Sequence, residues 1–279
     1  MPIGGLAVRL LKHLSDETRR VGRRGIAGGI RVPRLSAIII AMNEAGNIAD
    51  CLDTLAFCDE RIVVDGGSTD ATAQIAQGKG ARVISHPFEG FGAQKGFALS
   101  LATGDWVLSI DSDERVSPAL AQEIKNAIAS GGADCYELPR RSSFCGRVMD
   151  HSGWSPDYVL RLFRRDKAHF SSDLVHERVV CDGTLARLNE PLRHDPVRKL
   201  EDALSRMDRY SSAGAEQLLD AGKRVSFMSG ISHGAWTFFR TYVLRGGFLD
   251  GREGFLLAVA NAEGTYYRYM KAWLKGRER

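Results

Sequence analysis

The sequence predicts an α/β fold, a mostly parallel sheet flanked by helices, with a C-terminal helical extension. Between residues 35 and 129, short runs of Ile, Val and Leu alternate with stretches whose apolar residues recur at helical spacing. That is the pattern of strand–helix–strand units. Several of those runs end in or beside acidic residues, and the C-terminal ends of parallel strands share one edge of a sheet. From Arg198 onward helical periodicity takes over.

The first strand is Leu35-Ser-Ala-Ile-Ile-Ile-Ala41, apolar throughout, as expected where both faces are covered. Asn43-Glu44-Ala45-Gly46 turns the chain into a helix whose Ile48, Leu52 and Leu55 share a side. Arg61-Ile-Val-Val-Asp65 is a second buried strand, and Thr69 or Asp70 can cap the helix that runs through Ala76. Ala81 to Ser85 is a third strand, Phe91 to Ala102 a third helix, Trp106 to Asp111 a fourth strand and Pro118 to about Ala129 a fourth helix. Strands at Cys135–Pro139, Tyr158–Phe163 and Val175–Val180 follow, between long polar loops. Leu200, Ala203, Leu204, Met207, Tyr210 and Leu218 then repeat at helical spacing, and two further helices fill Ser229–Leu244 and Gly254–Leu274. The expected organisation is a basic segment over 1–34, a catalytic domain over 35–195 and a helical region over 196–279.

Composition is that of an ordinary globular chain, 44% hydrophobic and 26% charged, so a full core is available. The net charge of +4 matters less than its placement. Residues 1–34 carry Arg9, Lys12, Arg19, Arg20, Arg23, Arg24, Arg31 and Arg34 against Asp16 and Glu17. Five cysteines, an odd count without a C-x-x-C pair, argue against a disulfide framework or structural zinc and fit a reducing cytoplasm. No stretch has the apolar length of a spanning helix, and glycines and arginines interrupt the basic N-terminus before a signal-peptide core forms.

The chemistry concentrates at Trp106-Val-Leu-Ser-Ile-Asp111-Ser-Asp113-Glu114, an apolar run that ends in three carboxylates. Two aspartates spaced i, i+2 at a strand end offer hard oxygens to a divalent cation, Mg²⁺ or Mn²⁺, which in turn grips a diphosphate. Asn43-Glu44 and Asp65 belong to the same edge. Carboxylates there suit the N–H and hydroxyl donors of a base and ribose, so a nucleotide-sugar site is the leading reading. A dinucleotide oxidoreductase is disfavoured because Met-Asn-Glu-Ala-Gly, and not G-x-G-x-x-G, follows the first strand.

The order Ile-Ile-Ala-Met-Asn43-Glu44, Val-Val-Asp65-Gly-Gly-Ser68-Thr-Asp70 and Asp111-Ser-Asp113 resembles the inverting family 2 glycosyltransferases of GT-A (Rossmann-like) fold, over about residues 35–180. More narrowly, Gln94-Lys95-Gly-Phe-Ala, Gly104 to Glu114, Arg161-Leu-Phe-Arg164, Val175-His176-Glu177 and the Gly247–Gly251 element resemble the lipopolysaccharide inner-core β-1,4-glucosyltransferase branch. The resemblance implies that Ala41, Asn43, Glu44, Asp65, Lys95, Asp111 and Ser112 bind the nucleotide sugar. Asp113 ligates the metal, with Asp111 and His176 as further candidates. Many relatives place Arg-Asn-x-Gly where this chain has Gln94-Lys95-Gly96.

Inverting transfer needs one general base for the acceptor hydroxyl. Glu177 is the first candidate, with Asp150 and Asp157 competing from either side of the Gly153-Trp154 loop. Trp154 can stack on a sugar face, and Arg161 and Arg164, read as outward-facing on one strand, can meet phosphates. The expected reaction moves glucose from UDP-glucose to an inner-core heptose of a lipid-linked oligosaccharide. The alternatives are a polyprenyl-phosphate or other cell-envelope glycosyltransferase and, from a different class, a non-catalytic membrane-associated scaffold. Aromatics from Trp236 to Trp273 interleave with Arg240, Arg245, Arg268, Lys271 and Lys275, which suits a peripheral position on the anionic inner leaflet of the cell membrane. Nucleic acid is not expected, since no binding motif accompanies the charge.

Overall fold

The computed structural model describes residues 32–171 and 178–277. Strands β1 (Leu35–Ala41), β2 (Glu60–Asp65), β3 (Arg82–Ser85) and β4 (Trp106–Ser109) alternate with helices α1 (Ile48–Thr54), α2 (Thr72–Gly78) and α3 (Phe91–Leu101). They form a parallel half-sheet in the order β3-β2-β1-β4. The register explains the unbroken apolar runs. Ile38 lies beside Ile62 and Ile39 beside Val63, so neighbouring residues point to opposite faces and every face needs burial. Ala37, Ile39, Val63 and Leu108 join one core and Ile38, Ile62, Val64 and Val107 the other.

The second half of the sheet is mixed, which the sequence pattern did not foretell. Beyond β4 come β8 (Tyr158–Arg164), β6 (Cys135–Phe144), β12 (Leu192–Val197) and β5 (Glu114–Arg115). β8 runs antiparallel to β4 and β6, whereas β12 is parallel to β6. Short strands β7 (Arg147–Val148) and β11 (Leu185–Arg187) pair with β6, and β9 (Ala168–Phe170) and β10 (Val179–Cys181) form a separate hairpin. Helix α4 (Pro118–Ser130) is capped by Ser117, whose side chain accepts from the Leu120 amide, and ends at Gly131 in a left-handed conformation. The expected strand at Val175–Val180 falls partly outside the described residues.

One expectation is corrected by covalent geometry: Cys135 and Cys181 form a disulfide, with Cα atoms 6.4 Å apart. Spacing concealed it, because 46 residues separate cysteines that the β6–β8 pairing and the β9–β10 hairpin bring together. Cys51, Cys58 and Cys145 are free thiols, and burial pushes those of Cys51 and Cys58 up to about 12.

The C-terminal region comprises α5 (Leu200–Asp220), α6 (Phe227–Phe239), a π-helical turn (Arg240–Leu244), a 3₁₀ turn (Gly247–Asp250) and α7 (Gly251–Gly276). Helices α5 and α6 both pack on α7. A Cβ at Gly234 would lie 3.2 Å from Cβ of Tyr266 and 3.3 Å from the Ala262 carbonyl, so any side chain there would push α6 and α7 apart by a few tenths of an ångström. Among the described residues no helix is long and apolar enough to cross a membrane.

Candidate active site

The ends of β1 and β2 lie side by side, with Ala41 in register with Asp65 and the Gly66 amide donating to the Ala41 carbonyl at 2.8 Å. The loops that follow are interlocked. Asn43, in the left-handed region at φ 58°, accepts from the Thr69 amide at 2.8 Å, and its own amide donates to Ser68 Oγ at 2.9 Å. The Glu44 amide donates to Thr72 Oγ1 at 2.7 Å, and Asp70 accepts the Ala45 amide at 3.1 Å. Asp65, buried, accepts from the amides of Gly67 and Ser68 and from Ser68 Oγ at 2.5 Å. Ala41, Asn43, Glu44 and Asp65 are thus gathered at one edge, and the polar side chains hold the loops in shape as well as lining the edge.

The Asp111–Glu114 turn is fastened from beneath. The Arg161 guanidinium, on a side chain 9% exposed, bonds Asp111 and also Glu114 Oε1 at 2.7 Å. Lys95 Nζ lies 3.0 Å from Asp111 Oδ1, Arg140 lies 3.6 Å from Glu114, and the Asp111 amide donates to Glu114 Oε2 at 2.9 Å. Burial alone would push the Asp111 carboxyl up, but the Arg161 and Lys95 charges overcome it and hold the group well below the usual range. Burial wins at Glu114, whose carboxyl is raised because Arg161 offsets only part of the desolvation and Asp111 adds repulsion. The guanidinium of Arg161 gains from both carboxylates more than burial removes.

Asp113 faces the other way. Its Oδ2 lies 3.5 Å from Nε2 of His194 on β12, and Nδ1 of that ring bonds Ser142 Oγ at 2.8 Å. Burial raises the Asp113 carboxyl, and the His194 hydrogen bond and charge more than reverse that, leaving it lowered. Among the described residues no group of three or more His, Cys, Asp or Glu gathers as a metal cage. The Asp113 carboxylate nonetheless fits Mg²⁺ or Mn²⁺, hard cations that accept few protein ligands and complete their shell with substrate phosphates and water, and His194 is the adjacent candidate for a second ligand.

A cavity of about 340 Å³ opens beside this pair, lined by Arg140, Ser142, Gly153, Trp154, Asp157 and His194. Trp154 packs edge-on against Phe144 at a ring-centroid distance of 6.2 Å. Asp157 is paired with Arg140 and Asp150 with Arg141, each at 2.8 Å. A second cavity of about 510 Å³ lies against β8, where Lys95, Tyr158, Arg161 and Arg178 line it.

Arg161 and Arg164 part company. The pairing of β8 with β6 slips by one residue at Leu160–Leu162, a bulge that takes Arg161 out of the regular alternation, and three residues of strand separate the two arginines by about 10 Å. Arg164 is in register with Trp106 at the start of β4, stacks over its ring and pairs with Asp134. Arg164 lies at the opposite edge and Arg161 is engaged by Asp111 and Glu114, so the structure does not bring the two arginines together. His176 and Glu177 lie outside the described residues. Ser112 is buried within the turn. Sequence reading missed His194 and the bracing role of Glu114 and Arg140. No spacing rule links His194 to Asp113; only the pairing of β12 with β5 and β6 brings them together.

The chain is a member of glycosyl transferase family 2, whose family model matches residues 36–192. LpsC of Rhizobium meliloti, a lipopolysaccharide core biosynthesis glycosyltransferase, is 32% identical over 252 residues, covering 85% of this chain and 90% of that protein. An uncharacterized glycosyltransferase of Rickettsia felis is 32% identical over 254 residues, covering 85% and 89%. Among solved structures, S. aureus TarS 1–349 aligns with 88% of this chain and 91% of its own at 16% identity and a TM-score of 0.42.

Proposed function

We propose that the protein is a metal-dependent inverting glycosyltransferase that moves glucose from UDP-glucose to an inner-core heptose of lipopolysaccharide. The observation that carries the reading is the Asp113–His194 pair at the C-terminal edge of β4, 3.5 Å apart and next to the interlocked loops at the ends of β1 and β2. The acceptor class rests on the similarity to LpsC along 85% of the chain.

In this reading Asn43, Glu44 and Asp65 receive the nucleoside, and Lys95 and Asp111 form the floor beneath the diphosphate and sugar. Asp113 and His194 hold a divalent cation, which when bound neutralises charge on the departing diphosphate. Glu177 takes the proton of the acceptor hydroxyl as it attacks the anomeric carbon from the opposite face, inverting that centre. Asp150 and Asp157 are weaker choices, because each carboxylate is already engaged by an arginine. Trp154 offers a ring face to the acceptor sugar.

The acceptor is lipid-linked, and the C-terminal region suits the inner face of the cytoplasmic membrane. Trp236, Phe239, Val243, Leu244, Phe248 and Leu249 are all exposed, between Arg240, Arg245 and Arg252. Apolar side chains among arginines suit the interface of an anionic leaflet.

The test is transfer from a panel of UDP-sugars to deacylated core oligosaccharides with Mg²⁺ or Mn²⁺, with the anomeric configuration of the product read by NMR. A β-linked hexose from the α-configured donor is expected. Retention of configuration would contradict the mechanism, and absence of transfer with every donor would favour the scaffold.

A further inference from the structure

The Asp250 carboxylate is 3% exposed and lies far from the Asp111–Asp113 turn in sequence. Everything it is seen to bind belongs to one short segment about 100 residues earlier. It accepts from the Asp150 amide at 3.2 Å, the His151 amide at 3.1 Å and Ser152 Oγ at 2.7 Å, and it lies 3.1 Å from His151 Nδ1. The neighbouring turn adds a further hold, since the Ser152 amide donates to the Arg245 carbonyl at 2.8 Å.

The segment needs holding. Ser152 and Gly153 are both left-handed, at φ 58° and φ 83°. A non-glycine residue in that region is strained and persists where surrounding structure fixes it. The Arg245 side chain also fills the space above Gly153, where a Cβ would clash with its Nη1. The next residues, Gly153, Trp154 and Asp157, form a wall of the 340 Å³ cavity that His194 shares.

We propose that Asp250 is a positioning residue for the acceptor: its buried carboxylate sets the Asp150–Gly153 backbone and thereby the Trp154 wall against which the acceptor sugar binds. The proposal rests on the glycosyltransferase reading for the nature of the ligand, although not for the clamp itself. It gives the C-terminal region a part in the pocket. The 3₁₀ turn presents Phe248 and Leu249 outward and Asp250 inward, so the surface exposed to solvent and the acceptor wall share four residues of backbone.

The test uses the full-length chain with Asp250→Ala, Asp250→Asn and Ser152→Ala, read in two ways. Hydrogen exchange is expected to accelerate at least tenfold in peptides covering residues 149–155 of Asp250→Ala, with peptides over 35–45 and 106–115 unchanged. The KM for a deacylated heptose-containing core oligosaccharide is expected to rise at least tenfold, with UDP-glucose affinity unchanged. Asp250→Asn, which keeps one accepting oxygen, falls between Asp250→Ala and wild type, and Ser152→Ala gives a smaller shift of the same kind. Unchanged exchange over 149–155, or a donor affinity that falls in step with acceptor KM, overturns the proposal. If Asp250→Ala does not fold, Asp250→Asn and Ser152→Ala decide it on the same criteria. Accelerated exchange in a chain whose wild type transfers no sugar overturns the glycosyl-transfer reading and the acceptor role together, while leaving the clamp in place.

Discussion

Replacing Arg161 with Met removes the cation that fastens the Asp111–Glu114 turn to β8, and the structure sets the size of the effect. The side chain is 9% exposed and its guanidinium bonds two carboxylates, one of them on the fully buried Glu114. Breaking a buried ion pair from one side costs about 3–5 kcal/mol, because the partner is left charged in a poor solvent. Here each carboxylate keeps a second cation, Lys95 at 3.0 Å for Asp111 and Arg140 at 3.6 Å for Glu114. Glu114 can also take up a proton, as its raised carboxyl makes easy. The lower end of the range, about 3 kcal/mol, is therefore expected. In a fold of this size that corresponds to a fall in Tm of about 6–12 °C. Arg161→Met with Glu114→Gln should be less destabilised than the two single losses added, because one orphaned charge is gone. Thermal denaturation of the four proteins measures the coupling. A shift below about 2 °C in the single variant, or strict additivity in the double, would refute the idea that Arg161 braces the turn electrostatically.

Three further outcomes are expected. His194→Ala should weaken Mn²⁺-dependent donor binding at least tenfold at unchanged Tm, measured by calorimetry; full retention would remove the imidazole from the cation site. A carboxyl held low in the folded state contributes stability above its unfolded value of about 3.9, and loses it as pH falls through the folded value. Wild type should therefore lose more Tm than Asp111→Asn between pH 5 and pH 2, and parallel curves would count against the pairing. Phe248→Ser with Leu249→Ser should reduce co-sedimentation with phosphatidylglycerol vesicles at least fivefold, and equal sedimentation would place any membrane contact elsewhere.

The parallel half of the fold was legible because both faces of β1, β2 and β4 are buried, so apolar runs marked the strands and acids marked their ends. The mixed half was not. Strands of two or three residues such as β5, β7 and β11 carry no periodicity, and the orientation of β8 depends on its partners. The site divides along the same line. The structure gathers Asn43, Glu44, Asp65, Lys95, Asp111 and Asp113 at the strand ends where motif and spacing put them. The His194–Asp113 and Asp250–Ser152 contacts were not legible, although Asp250 falls in the Gly247–Gly251 element, because each joins residues tens of positions apart or more. That Arg161 meets Asp111 and Arg164 meets Asp134 was hidden as well, since both carboxylates belong to other segments and β8 carries a bulge at Leu160–Leu162. The Cys135–Cys181 bond was hidden for a similar reason, as sequence distance says nothing of two strands that meet in space.

The most direct test of the central claim is calorimetric titration of wild type and Asp113→Ala with UDP-glucose, in Mn²⁺ and again in EDTA. The account predicts binding by wild type in Mn²⁺ that EDTA abolishes and UDP competes away, and none by Asp113→Ala at unchanged Tm. Equal affinity in EDTA, or an Asp113→Ala protein that binds as wild type does, would contradict it.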